Sequence, residues 1–341
     1  MEEGFALWAN PSSPHAEGRK ARAALEDARE RIKAALGWDG ELIFTSGASE
    51  AAERVFEYTR SLFRYVSTVE HDALYHYAQY MDCEDILVAP DGSPILEWDD
   101  TGQMPPPLPH SYHDGQSLIV LQHINSETGN RTDIPSAHKV VRQRNNLLFS
   151  DCSQSVGKFP LPECEMAIVS PHKFGGPIGI GALLVKDYAM LTPSGGQERG
   201  YRRGTENLPG ALGMAAALEK CSDPYVASEI LEPFNALAEE CRKLGGTWLS
   251  DRLSDPTPYI RAIAMPNMSA TAQVMRFDMA GIAVSQGSAC SSGTMKTSRV
   301  LEAMQVEPEI TANTIRVSVG WNTTRAEVER FCEVWLDLAR R

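Results

Sequence analysis

The sequence predicts an α/β protein with a larger domain on a mostly parallel sheet (residues 10–214) and a smaller α+β domain (215–341, together with 1–9). Three observations predict this. Short apolar runs alternate with helix-patterned stretches through the first two thirds of the chain, the pattern of strand–helix units that feed a parallel sheet. After LPGALGMAAALEK (208–220) that alternation gives way to a long amphipathic stretch and isolated strands. The chain has 341 residues, whereas single hydrophobic cores stop growing at about 250–300 residues.

The elements follow in order. ARAALEDARERIKAAL (21–36) spaces its apolar residues for one helix face and its charges for the other, which predicts a surface helix. ELIFTSG (41–47), SLIVLQHIN (117–125), NLLFSDCSQ (146–154), MAIVSPHK (166–173) and GIGALLVK (179–186) are the clearest strands. The Pro-rich DGSPILEWDDTGQMPPPLPHS (91–111) predicts an exposed connection. In the smaller domain, EILEPFNALAEECRKLGG predicts helix, and YIRAIAMP and TIRVSVGW predict strands.

Composition narrows the function. Apolar residues make up 43% and charged residues 23%, ordinary proportions that exclude a disordered or fibrous chain. No apolar run approaches the roughly 20 residues of a membrane helix. The acidic start MEEGFALWANPSS lacks the features of a secretory signal, so a cytoplasmic location is expected. Forty-five acidic against 32 basic residues give a net charge of −13, which disfavours nucleic acid as a partner. The seven cysteines (Cys83, Cys152, Cys164, Cys221, Cys241, Cys290 and Cys332) are odd in number and lack CxxC pairs. Neither a disulfide framework nor a metal site is expected.

Ligands of open α/β sheets bind at the carboxyl ends of the strands, so polar residues that follow apolar strands are the candidates. FTSGASEAAERV reads as strand, glycine turn and helix, with Ser49 and Glu50 in the first turn. Its free N–H groups suit a phosphate, although Ser and Glu are also ordinary caps. Asp151 follows NLLFS, where a carboxylate needs a cation or donor, or else serves as a cap. Lys173 ends MAIVSPHK after Ser170 and His172; a partly buried amine there has a lowered pKa and can form a Schiff base. Together these are an anion cradle, a pyridinium partner and an aldehyde-capturing amine, the parts a pyridoxal 5'-phosphate (PLP) enzyme requires. GSACSSG (287–293) sets Cys290 among small residues, where a thiol is either a loop nucleophile or incidental. Arg316, inside TIRVSVGW, is either a paired core arginine or a fork for a carboxylate. The glycines of GGPIGIG (175–181) lead into a strand and not a helix, which argues against a nucleotide loop.

Nine blocks in order, NPSSPHAEGR, FTSGASE, VEHDA, HINSETG, DCSQSVGK, SPHKFGGPIGIGALLV, GGQERGYRRGTEN, GSACSSG and TIRVSVG, resemble the cysteine desulfurases of the NifS/IscS type. The resemblance covers nearly the whole chain, and SxHK and GSACSSG are its most specific parts. It implies the class V aminotransferase family and a fold-type I PLP-dependent transferase with a mostly parallel seven-stranded sheet. Lys173 would hold the cofactor and move protons, while Asp151 would keep the pyridine nitrogen protonated. His71 matches the histidine that stacks on the ring, and Gln154 and Asn125 match residues near its phenolic oxygen. Ala48, Ser49, Ser170 and His172 would hold the phosphate. Thr205 would reach the phosphate of a neighbouring subunit, which implies a homodimer. Arg316 and Asn125 would bind the carboxylate of the substrate, L-cysteine. Cys290 would take the sulfur as a persulfide and pass it to an acceptor or scaffold protein in iron–sulfur or thio-cofactor assembly.

The family opens with a segment resembling YLDNNATTP, whereas only MEEGFALWA precedes Asn10, so an N-terminally shortened member is expected. FTSGASEAAE stands for FTSGATESNN and keeps the hydroxyl at Ser49, and NSETG (125–129) stands for NNETG. Two alternatives stay open: a selenocysteine lyase, and a truncated paralogue acting mainly as a subunit or regulator of a sulfur-transfer complex. An aminotransferase has no use for the loop thiol.

Overall fold

The computed structural model describes residues 1–7, 9–61, 63–96, 116–221, 223–287 and 297–340. The chain begins with α1 (Glu2–Ala6) and α2 (Ala16–Leu36). It continues through β1 (Glu41–Thr45), α3 (Ala48–Tyr58), β2 (Phe63–Ser67), α4 (Asp72–Tyr80), β3 (Cys83–Ile86), β4 (Ser117–Gln122) and α5 (Ile134–Gln143). Next come β5 (Leu147–Asp151), β6 (Met166–Val169), β7 (Gly181–Val185) and α6 (Leu208–Leu218). The remainder runs α7 (Ser228–Leu231), α8 (Pro233–Lys243), β8 (Thr247–Trp248), β9 (Ile260–Ala264), α9 (Ala270–Met279) and β10 (Ser285–Gln286). It ends with α10 (Arg299–Ala303), α11 (Pro308–Asn313), β11 (Thr314–Ser318) and α12 (Arg325–Ala339).

The first sheet has seven strands in the order β1-β7-β6-β5-β4-β2-β3. β3, β2, β4, β5 and β6 pair in parallel, and β7 is antiparallel to both its neighbours. The mostly parallel sheet expected from the sequence is therefore present. Its central strands are apolar without alternation because both faces are covered. Leu42, Phe44, Ile119, Leu121, Leu148, Val169 and Leu184 face one core with α2 and α6, and Ile43, Val66, Leu118, Val120, Phe149 and Ile168 face another with α3. In α2, the stripe Ala21, Leu25, Ala28 and Ile32 is fully buried, and Gly37 ends the helix in the left-handed conformation.

β2 and β3 are additions to the strands read from the sequence. β3 (CEDI) lies at the sheet edge with Glu84 and Asp85 exposed, a charge pattern that keeps an edge from pairing further but hides the strand from a hydrophobicity reading.

The second sheet is antiparallel, in the order β10-β11-β9-β8. α8, α9 and α12 pack on it around Phe234, Phe277, Ile263, Ile315, Phe331 and Trp335. Residues 1–9 were grouped with this unit; in the structure Leu7 and Ala9 pack against the first core. α1 approaches α6 so closely that a Cβ at Gly4 would stand 2.5 Å from Pro209 Cα. Of the expected connection at 91–111, residues 97–111 lie outside the described residues.

Candidate active site at the strand ends

Register alone gathers most of the candidates. Gln122 on β4 faces Asp151 on β5, and Asp151 faces Ile168 on β6. Val169 on β6 pairs with Ala182, and Thr45 on β1 pairs with Gly181, so the ends of β1 and β6 flank the start of β7. The segments after β2, β4, β5, β6 and β1 therefore stand in one row. They carry His71, Asn125, Asp151 with Gln154, Ser170 to Lys173, and Ala48 with Ser49.

At one end of the row, α3 starts directly after β1 with Ala48 and Ser49 in its first turn. Glu50 accepts the Ser46 amide at 2.6 Å and Arg202 Nε at 3.0 Å. Burial opposes its charge, but Ser46 and Arg202 outweigh burial and hold the carboxyl below its ordinary pKa. Across β7, Ser170 is 0% exposed and its Oγ has no hydrogen-bond partner among the described residues. A buried hydroxyl without a partner is costly unless a ligand meets it. Lys173 closes a turn, Pro171–Lys173, through its amide to Ser170 O at 3.1 Å. The sequence led us to expect a partly buried amine; the structure instead leaves Lys173 exposed, as it leaves His172 and Ser49. The reason is that the turn projects past the strand ends. Desolvation and then the Lys173 charge push the His172 imidazole below its usual pKa.

At the other end, Asp151 is 8% exposed and its Oδ1 accepts the Ser153 amide at 2.9 Å. His71 caps α4, its Nδ1 accepting the Ala73 amide at 3.1 Å, which assigns the ring proton to Nε2. Asn125 Oδ1 accepts from the Glu127 and Thr128 amides and its Nδ2 donates to Val69 O, leaving at most one amide hydrogen for a ligand. Gln154 Oε1 accepts from Lys158 Nζ at 3.4 Å. Burial, followed by the charge of Lys173, pushes the Lys158 amine down to about 8.

Glu70 was missed by the sequence reading, although VEHDA contains it. Its side chain is fully buried; Oε1 accepts the Gln122 amide, and Oε2 has no partner among the described residues. Burial, then the Asp151 charge, push its carboxyl well above the ordinary value. A raised carboxyl pKa stabilises the fold below the unfolded value, and that contribution is lost as pH rises through the folded value. Glu70→Gln keeps the acceptor and cannot ionise. Its melting temperature relative to the unaltered protein is therefore expected to rise from pH 5 to pH 9. A constant difference across that range would show Glu70 to be ionised throughout.

The smaller sheet contributes Arg316 on β11, whose Nη1 donates to Ser126 O at 3.1 Å and so lies beside the Asn125 turn. Thr205 is exposed on the loop before α6. Cys290 lies outside the described residues.

A buried carboxylate, a lysine turn on the neighbouring strand, a serine hydroxyl unsatisfied among the described residues and, across β7, a helix N-terminus fit PLP as pyridinium partner, aldehyde-capturing amine and phosphate cradle. With the sheet order, they define the class: a fold-type I PLP enzyme. The chain belongs to the class-V aminotransferase family, which matches residues 5–331. It is 32% identical to a cysteine desulfurase of Cereibacter sphaeroides over 95% of this chain and 87% of that protein. It is 30% identical to the putative cysteine desulfurase IscS 1 of Bacillus subtilis (strain 168) over 97% and 91%. The X-ray structure of a NifS-like protein from Rickettsia africae ESF-5 superposes with a TM-score of 0.85 at 26% identity, covering 100% of this chain and 95% of that one.

Proposed function

We propose that this chain is a PLP-dependent cysteine desulfurase that converts L-cysteine to L-alanine and holds the sulfur on Cys290 as a persulfide. The observation that carries this reading is the row of strand ends that joins Asp151, the Lys173 turn and the Ser170 hydroxyl, which is unpaired among the described residues. Similarity to cysteine desulfurases over nearly the full chain supports it. Bound there, PLP would supply the electron sink that labilises bonds at the substrate Cα.

The chain's own residues have distinct tasks. Lys173 would hold the cofactor through its aldehyde and would carry a proton at the substrate Cα. Asp151 would hold the proton on the pyridine nitrogen, and His71 would stack on the ring. Ala48, Ser49, Ser170 and His172 would bind the phosphate, while Gln154 and Asn125 would meet the phenolic oxygen. Arg316 would bind the substrate carboxylate, with the one remaining amide hydrogen of Asn125 shared between that carboxylate and the phenolic oxygen. The Cys290 thiolate attacks the substrate sulfur; the sulfur–carbon electron pair stays with Cβ, which takes a proton and leaves as alanine. The outer sulfur remains on Cys290 for transfer to an acceptor or scaffold protein in iron–sulfur or thio-cofactor assembly. Thr205, exposed on its own chain, would reach the phosphate of the neighbouring subunit in a cytoplasmic homodimer. No described helix is long and apolar enough to cross a membrane.

Cys290→Ala tests the sulfur step. The variant is expected to bind PLP normally, to form no cysteine-dependent persulfide, and to release alanine slower by on the order of 10³-fold or more, because deleting a nucleophile removes most of the catalysis. Alanine release at the unaltered rate would eliminate the thiol from the mechanism.

A further inference from the structure

The turn that carries His71 is held largely from outside itself. Within it, the Glu70 amide donates to Ser67 O at 3.0 Å. Its carbonyls receive donors from distant elements: Val69 O accepts from Gln122 Nε2 at 2.6 Å and from Asn125 Nδ2 at 3.1 Å. The other two carbonyls, of Thr68 and Glu70, are both bound by Arg299, the first residue of α10 in the C-terminal third of the chain.

Arg299 does more than bridge two carbonyls. Its Nη2 stands 2.5 Å from Glu70 O and 3.2 Å from Asp72 Oδ1, and its guanidinium lies 3.8 Å from the centre of the Tyr75 ring. It thus grips both sides of His71, on residues 68 and 70 before it and on 72 and 75 after it. The preceding Ser298 donates from Oγ to the buried Glu127 at 2.5 Å, on the turn that Asn125 organises. Two adjacent residues therefore reach the two turns assigned to the cofactor ring and substrate carboxylate, and they stand shortly after Cys290 in sequence.

We propose that Arg299 is a positioning residue for the reaction, fixing the turn that presents His71. The assignment of a task to His71 rests on the function proposed above. Only a planar fork can meet two carbonyls and a carboxylate while its face lies on an aromatic ring; a lysine ammonium keeps the charge but offers a single point. Displacement of a reacting or orienting group by about 1 Å can lower a rate by about 100-fold, so a small shift of this turn has a large effect.

The test uses amide hydrogen exchange on the cofactor-free protein, followed by PLP binding. In Arg299→Ala, the amides of Leu74 and Tyr75, both bonded to His71 O, are expected to exchange about tenfold faster while those of α12 stay unchanged. On adding PLP, the visible circular dichroism of the bound cofactor should change, and kcat for cysteine should fall about tenfold with KM within about twofold. Arg299→Lys should behave like Arg299→Ala; if the alanine variant does not fold, the lysine variant decides alone. Unchanged exchange at Leu74 and Tyr75, or full rescue by lysine, overturns the proposal. A protein that never binds PLP would defeat the proposed function and leave the exchange result readable.

Discussion

Lys173→Ala is expected to yield a folded, colourless protein with no cysteine turnover. The side chain is exposed on the turn beyond β6, so stability should stay within about 0.5 kcal/mol. Activity should fall far more steeply. Loss of the proton-carrying task alone costs about 10²–10⁴-fold, and loss of the covalent hold on the cofactor adds to it. Lys173→Arg should be equally inactive, because a guanidinium stays protonated and cannot condense with an aldehyde. The measurements are visible absorbance after reconstitution, borohydride trapping of the cofactor, and alanine release. Borohydride-stable labelling of Lys173→Ala at the usual stoichiometry would move the cofactor to another amine, and Lys158 would be the first to test.

The largest expected effect on stability lies at Arg29. The guanidinium is 1% exposed and forms two bonds to Glu198, itself 2% exposed, at 2.8 and 3.0 Å. It also donates to Leu42 O and lies 4.8 Å from the Phe44 ring centre, while Glu198 accepts the Phe44 amide at 2.8 Å. Burial opposes the charge of Arg29, and the Glu198 carboxylate more than offsets it, holding the guanidinium above its ordinary pKa. Arg29→Ala strands a buried carboxylate and should cost about 3–5 kcal/mol in denaturant unfolding. Glu198→Ala should cost at least as much, since it also orphans the Phe44 amide. The double variant should cost less than the two together, because the pair acts as a unit. A loss under about 1 kcal/mol for Arg29→Ala would show that the site relaxes around the gap. The pair also matters for the site. Glu198 begins the loop that carries Arg202 to Glu50 and presents Thr205, so the same ion pair anchors the surface beside the phosphate turn.

Much of this protein follows from sequence alone. β1, β4, β5, β6, β7 and α2 were legible because periodicity and apolar content are local, and for the same reason the sequence places Asp151, Ser170, Lys173 and Ser49 at or within a few residues of strand ends. Arg316 was left open between pairing and ligand binding, and the structure shows it on Ser126 O, 190 residues away in sequence. Glu70 lies in the VEHDA block but carried no sign of its burial, and Arg299 carried no local signal. A lone glutamate or arginine reads as a solvated surface residue, and the bond from Arg299 to Glu70 O spans 229 residues. The amino-acid order by itself determined which chemical groups sit at strand ends, since strand and turn preferences act over a few residues. The tertiary structure decided which of those groups are buried, partnered or pinned, because desolvation and long-range hydrogen bonds arise only when distant segments close on one another.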